Sequence, residues 1–348
     1  MAPSVVGCSG DAAVLPPSDF FVFGEGDRRK LLYRGGVLRD LRSGEVVWRG
    51  AVSRETIRAT ETAVELVADG TALTLHEDAA GIWLGDRPLV TSGGINRPRF
   101  SGPQAGRLRA LHHEILVNIV DSKPLPNLFV YDRPWRRDAA VMAMALAETG
   151  NLGLITPWIK GLDTVFDGNA GVEEPDNIGQ TLYLLALAGA KQHPLAAKAV
   201  AAIAKFKRGS GIAGSTDGGH HAAYQTLWLK AGLQAMGLPD AYQVPWRADH
   251  YRSLAWWMPD GGVPYPLRFG AANTRDYPYL AWAEAHYWQS APPALPSADA
   301  FPQSWEANGA AADYRKMAAV DRAWAAAKVA GPHGWHAAEA FLYLLKQA

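Results

Sequence analysis

Apolar and polar residues follow two different rhythms along this chain, and the change comes near residue 130. Between residue 18 and about residue 92 the apolar runs are short and rich in β-formers: FFVFG, KLLYRGGVLRD, EVVWRGAV, AVELVADGTALTLHED and GIWLGDRPLV. Gly-Gly, Ser-Gly, Asp-Gly and Ala-Gly separate them, which is the punctuation of tight hairpins. The section from Lys30 to Trp48 alternates well enough for a meander with one solvated face. Residues 1–92 are therefore predicted to form an antiparallel β module. Glu25, Asp27, Arg28 and Arg29 read as a solvated turn within it. Residues 93–130 follow as a connection: TSGGINRPRFSGPQAGR has the composition of a linker, and LHHEILVNIVD (111–121) reads as a first helix.

Beyond Pro134 the pattern predicts helices over 135–149, 152–166, 176–190, 194–207, 218–237, 247–257, 277–289, 309–328 and 335–347. The stretch YDRPWRRDAAVMAMALAETG (131–150) is the most informative. Pro134 suits a first helical turn, Asp138 lies near the positive end of the dipole, and Gly150 with Asn151 supplies the stop. A helix apolar on nearly every side is a buried one, so its charged mouth is expected to form one wall of a ligand pocket. DRPWRRD, VEEPDNIGQ, GSTDGGHHAAYQ, NTRDYPYLAWAEAH and AGPHGWHAAEA are polar leads into apolar helices. The first three are about 40 residues apart, roughly one helical hairpin per step. Amphipathic helices such as HPLAAKAVAAIAKF lie between them. Such alternation suits an inner and an outer ring, with the inner helix starts gathered in one bowl. The predicted fold class is α+β: the β module, then a mostly helical (α/α) barrel or toroid over 131–348.

Composition narrows the function classes. Among 348 residues, 34 basic and 34 acidic side chains cancel, which gives no reason to expect nucleic acid or an anionic membrane as partner. One cysteine, Cys8, excludes an intrachain disulfide framework and a cysteine-rich metal site. No apolar run approaches the roughly 20 residues that span a bilayer. MAPSVVGCSG lacks the basic start and apolar segment of a signal peptide, and VVGC has only the outline of a lipoprotein site. The expectation is a soluble cytoplasmic protein. Thirteen tryptophans, mostly beyond residue 130, serve either as core aromatics or as flat platforms for sugar rings.

A β module followed by helical hairpins resembles the (α/α) toroid carbohydrate enzymes, the six-hairpin glycosidases. The WRRDA start at 135–139 is similar to the tryptophan–arginine–aspartate sugar clamp of glucoamylase-like and debranching members. EEPDNIGQTLYLLALAG is similar to their Pro-(Gln/Asp)-(Asn/Asp)-x-Gly helix start. The resemblance covers residues 131–348 as architecture and implies a saccharide or glycoside substrate with no cofactor. It supplies no complete catalytic signature, and nine or ten helices stand where twelve would close the ring.

Glycoside hydrolysis needs one carboxylic acid to protonate the leaving oxygen and a carboxylate to activate water or attack. Asp138, Glu173, Glu174, Asp176, Asp217, Asp276, Glu284, Glu306 and Glu339 stand at or within helix starts, where acids also serve simply as caps. Glu174 is expected to be the acid and Glu284 or Glu306 the base, with Asp138, Arg137 and Trp135 holding a sugar ring. Glu284 sits among Trp282, His286, Tyr287 and Trp288. Asp176, Asn177, Asp217, His220, His221, Tyr224, Trp282, His286, Trp305, His333 and His336 complete the expected substrate contacts. His336 and Glu339 share a helix face, as a structural pair or a metal half-site. His112, His113 and the other scattered histidines carry no stronger metal signal, and no metal is expected.

Two rival functions use the same bowl. A polysaccharide lyase, epimerase or cyclase would employ His or Tyr as base, drawn from the histidines with Tyr224, Tyr277 and Tyr279. Arg133, Arg136, Arg137 or Arg275 would then neutralise a uronate. A non-catalytic saccharide-binding protein would bind without turnover. Phosphate-loop, HExxH and GxSxG motifs are absent from the sequence, as is a regular dinucleotide fingerprint.

Overall fold

Short apolar runs closed by tight turns make nine strands in two antiparallel meanders. In the computed structural model, which describes residues 16, 18–245, 249–258, 278–289, 291, 295–309 and 311–347, the first four strands are β1 (Phe20–Phe23), β2 (Leu31–Arg34), β3 (Val37–Asp40) and β4 (Val46–Arg49). They pair in sequence order. A second sheet follows, β5 (Val52–Arg58), β6 (Ala63–Ala68), β7 (Thr71–Glu77), β8 (Gly81–Leu84) and β9 (Arg87–Thr91), again in sequence order. The turn read as solvated is not: Glu25 and Arg28 are buried. Arg28 is paired with Glu77 at 2.9 Å, and Glu25 with Arg97 at 2.7 Å. A buried charge requires such a partner.

The 3.6-residue pattern gives α1 (Ala105–Val117), α2 (Arg136–Glu148), the short α3 (Thr156–Lys160), α4 (Asp176–Leu187), α5 (Pro194–Phe206), α6 (Ala222–Met236) and α7 (Pro278–Trp288). Two short helices, α8 (Tyr314–Met317) and α9 (Arg322–Ala326), precede α10 (Gly334–Leu345). The class is α+β. The helices neighbour one another in a cyclic order: α2 beside α4, α4 beside α6, α6 beside the 3-10 turn His250–Ala255, that turn beside α7, α7 beside α10, and α10 beside α2. No helix among the described residues is long and apolar enough to cross a membrane.

Three predicted helices are not formed at the expected length. Residues 152–166 contain only a 3-10 turn and α3, and 309–328 only α8 and α9. Of the predicted 247–257 helix, the described residues form the 3-10 turn His250–Ala255. The reason for the second of these lies in a separate core. Phe20, Phe21 and Phe23 pack with Phe129, Phe301, Trp305, Met317, Trp324 and Val329, so residues 300–330 fold back onto the first strands. Glu306–Ala307 pairs with Val329–Ala330 as a two-residue ribbon in that core. Met317 and Trp324 bury their side chains there from one-turn helices, and Asp321 between them accepts the Ala323 and Trp324 N–H groups, a cap that starts α9 afresh instead of continuing α8.

The main helical core holds α2 at its centre, with every residue from Arg136 to Leu146 buried. α4 and α6 approach backbone to backbone. A Cβ on Gly179 would collide with the Trp228 carbonyl, and one on Gly232 with the backbone of Gly179. Gly179→Ala is expected to cost at least about 1–3 kcal/mol by overpacking, read as a lower urea midpoint with unchanged slope. An unaltered midpoint would mean that the two helices separate freely.

Candidate functional site

The charged mouth of α2 is the centre of the site. Trp135 leaves the extended conformation just before the helix, and the Asp167 carboxylate accepts the Arg136 N–H at 2.7 Å, so Asp167 satisfies an orphan donor of the first turn. That leaves Asp138 free for other contacts. Arg137, one residue earlier, is buried and gathers three carboxylates from elsewhere in the chain. Its Nη2 donates to Glu174 Oε2 at 3.2 Å and to Asp217 Oδ1 at 3.2 Å, its Nη1 donates to Asp217 Oδ2, and its Nε lies 3.8 Å from Asp176 Oδ2. Trp335 and Tyr251 place their rings 5.7 and 5.9 Å from its guanidinium carbon, within cation–π range.

Asp217 reaches Arg137 because Asp217-Gly218 is a two-residue hairpin turn between Ser215–Thr216 and Gly219–His220. Both turn residues have positive φ, 48° and 75°, the signature of a type I′ turn, and Asp tolerates that region better than most side chains. Tyr251 donates its hydroxyl to Asp217 Oδ2 at 2.9 Å, and Asn169 donates to Asp217 Oδ1 at 2.9 Å. Glu174 accepts from the Asp217 N–H at 2.7 Å and from Asn169 at 3.3 Å. Asp217 keeps about a third of its side chain exposed (35%), so the cluster opens to solvent there.

On the other side of Arg137, Asp138 faces His333 and Glu306. His333 Nε2 lies 3.9 Å from Asp138 Oδ1 and 3.6 Å from Glu306 Oε2, and the Tyr131 hydroxyl donates to Glu306 Oε2 at 2.5 Å. His333 caps α10, its Nδ1 accepting the His336 N–H. Its remaining proton therefore points from Nε2 toward the two acids, because burial, with His336 beside it, pushes the imidazole well below its ordinary range and keeps it neutral.

The electrostatics divide the acids. Burial pushes Glu306 up to about 7, against the pull of the Tyr131 hydroxyl. Burial also pushes Glu174 up to about 7, with Arg137 opposing and Asp176 and Asp217 adding to it. Asp138 is held well above the usual carboxyl range by burial, with Glu306 among the charges that add to it. For Asp217 burial acts upward too, but the charge and hydrogen bond of Arg137 outweigh it, and the carboxylate lies below its ordinary value. Similar side chains in different surroundings thus hold different protonation states, the arrangement acid/base chemistry requires.

The remaining expected residues fall into three groups. Trp135 stands half-buried at the mouth with Arg133 over its ring at 4.3 Å. His221 is buried and stacks on Tyr251 at 3.8 Å, while Asp249 accepts from its Nδ1 at 3.2 Å and from the Tyr224 N–H at 3.0 Å. These lie beside the cluster. Asp176 and Asn177 are instead sealed within the protein: Thr216 and Gln180 donate to Asp176, and Asn177 bonds the Asp167 backbone and Gln180. They shape the loop that carries Glu174. His336 donates to the Trp305 carbonyl and Trp305 belongs to the second core, so both are supports. His336 therefore turns away from Glu339, which is buried near Trp335 with its pKa pushed far up.

Trp282, His286 and His220 are not drawn into the cluster. Trp282 is buried against Tyr343, and His286 lies exposed near Trp256 and Lys346. Tyr343 is ten residues beyond His333, about 15 Å along the helix. Glu284, between Trp282 and His286 in sequence on α7, is half-buried. His220 is exposed on the far strand of its ribbon, beside the Gly214 carbonyl. Cys8, Arg275, Asp276 and Tyr277 lie outside the described residues.

Tyr131, Asp167, Asn169, Asp249 and Tyr251 were not legible as site residues in the sequence. Their partners are 28 to 175 positions away, and only the Asp-Gly hairpin gave a local signal. Among the described residues no three His, Cys, Asp or Glu side chains are grouped so as to hold a metal ion. No protein-family model matches the chain, and no curated protein or solved structure is significantly similar to it.

Proposed function

We propose that the chain is a glycoside hydrolase-like enzyme acting on a saccharide or glycoside, with Glu306 as general acid and Glu174 as general base. The observation that carries this reading is the pair of carboxyl groups, Glu174 buried and Glu306 half-buried, each pushed to about 7, with Glu174 tied to Arg137 at the start of α2 and Glu306 beside His333 at the start of α10. The roles are exchanged relative to the sequence expectation. Three N–H donors converge on Glu174 and favour its carboxylate, whereas Glu306 takes a single hydroxyl donor. Glu306 protonates the departing oxygen as the glycosidic bond breaks. Water attacks the anomeric carbon and passes its proton to Glu174. Asp217, lowered in pKa and with both oxygens already accepting from Arg137, Asn169 and Tyr251, is poorly placed for proton transfer. The cyclic order of helices that includes α2 supports the reduced (α/α) toroid reading.

The lyase alternative is less well served. A uronate needs an uncommitted cation, and Arg137 is already matched by Asp217 and Glu174. Tyr131, Tyr224 and Tyr251 are all raised by burial, so they stay protonated at neutral pH and offer no phenolate to act as base. The test is a panel of neutral and uronate-containing oligosaccharides assayed for both reducing ends and unsaturated product. Reducing ends without the unsaturated chromophore are expected. The chromophore would overturn the hydrolase reading, and binding without either product would leave a saccharide-binding protein.

A further inference from the structure

A half-open cavity with several charged residues in its wall lies where the β module meets the helices, at the opposite end of α2 from its charged mouth. It encloses about 370 Å³ and is lined by Glu25, Arg97, Arg99, Phe100, Arg109 and His112, among others. The loop between β1 and β2 supplies Glu25, the linker supplies Arg97, Arg99 and Phe100, and α1 supplies Arg109 and His112. The charges there do not balance. Glu25 is fully committed: Arg97 Nη2 lies 2.7 Å from Oε1, Arg97 Nε donates to Oε2 at 2.8 Å, and His113 Nδ1 lies 3.0 Å from Oε1. Among the described residues, Arg99 and Arg109 have no ion-pair partner. Arg109 donates its Nε to the Thr60 carbonyl at 2.9 Å, which leaves both terminal nitrogens for another acceptor. Three guanidinium groups therefore share one neutralised carboxylate.

His112 adds a directed donor. Asn151 is fixed in orientation, since its Oδ1 accepts the Asn96 N–H at 2.8 Å and its Nδ2 donates to the Asn96 carbonyl at 2.8 Å. That same Nδ2 donates to His112 Nε2 at 3.1 Å. Burial pushes His112 down to about 4, so at neutral pH its one proton sits on Nδ1. Phe100, packed edge-on to both His112 and Phe341 at 6.1 and 5.6 Å, gives the cavity an apolar wall.

We propose that this cavity binds a small organic phosphomonoester, with Arg99 and Arg109 holding the phosphate and Phe100 lying against the organic part. A lone carboxylate is satisfied by one arginine fork, whereas a phosphomonoester carries close to two negative charges on three terminal oxygens. Donors from two separate elements match the latter. The volume exceeds what a bare phosphate fills and falls at the lower end of small-ligand sites.

Glucose 6-phosphate, glucose and citrate titrated into the full-length protein at constant ionic strength test this by calorimetry. Glucose 6-phosphate is expected to bind at least about tenfold more tightly than citrate, through the added fork contacts, and glucose not at all. Arg99→Gln, an exposed substitution, is expected to weaken glucose 6-phosphate binding about tenfold without moving the ligand-free melting temperature, and Arg99→Gln/Arg109→Gln to abolish it. Equal binding of citrate, binding of glucose alone, no binding, or affinity unchanged in Arg99→Gln each overturns the proposal. Because the readout is binding, the result stands whatever the chemistry at the mouth of α2.

Discussion

Glu306→Gln is expected to lower kcat by about 10² to 10⁴ while leaving KM within a few-fold, the loss typical of a missing general acid. The same variant is expected to be more stable than the wild type above pH 7. Glu306 is held by burial at about 7 against an ordinary 4.5, so between those values the folded state binds a proton that the unfolded state has released. The stabilisation from that proton is complete below about pH 4.5 and lost as pH rises through 7. At pH 8 the wild type carries a buried carboxylate that glutamine does not, a difference of about 1–3 kcal/mol. Urea unfolding at pH 5 and pH 8, with kcat/KM profiles, checks both limbs. The profile should lose its alkaline limb near 7. An inactive variant that is destabilised at pH 8 would point to a structural role, and one retaining most of its activity would remove Glu306 from the chemistry.

Arg137→Met is expected to destabilise the protein by about 3–5 kcal/mol at neutral pH, because it leaves buried acids facing one another without their cation. Total stabilities of about 5–15 kcal/mol make that close to unfolding. Arg137 holds Asp217 below its ordinary value, a stabilisation present above the unfolded value of Asp217 and lost as pH falls through its folded one. It also restrains the rise of Glu174, which burial still holds at about 7, and that part is lost as pH falls through 7. The deficit should therefore shrink as pH is lowered toward 4, where both acids of the variant take up protons. Arg137→Lys keeps the charge but not the fork and should fall between. Urea midpoints at pH 4.5 and 7.5 measure this, and a deficit independent of pH would mean that Arg137 contributes packing and not charge.

The α2 mouth could be read directly from residues 131–150, since a helix buried on all sides with charges only at its start has few alternatives. Glu174 was legible for the same reason. Glu306 was visible as an acid beside tryptophan, but not the strand pair that carries it. Two-residue ribbons such as Glu306–Ala307 with Val329–Ala330 leave no periodic trace, and residues 309–328 looked helical because alanines favour helices regardless of tertiary context. Of the aromatic neighbours that drew attention to Glu284, Trp282 serves the core, a role that apolar sequence surroundings do not distinguish from a pocket wall. Asp217 was named as a contact, yet its reach to Arg137 across 80 positions depends on a turn conformation that only the Asp-Gly pair foreshadowed.

The return of residues 300–330 to the first strands has a consequence for synthesis on the ribosome. Phe20, Phe21 and Phe23 emerge about 280 to 300 residues before Phe301, Trp305 and Trp324, which share their core. The first sheet cannot complete its interior until those residues have been made, so its maturation waits on a contact of very long sequence separation. Since Glu306 lies on that same later segment, the proposed general acid and the closure of the first sheet are expected to come into place together.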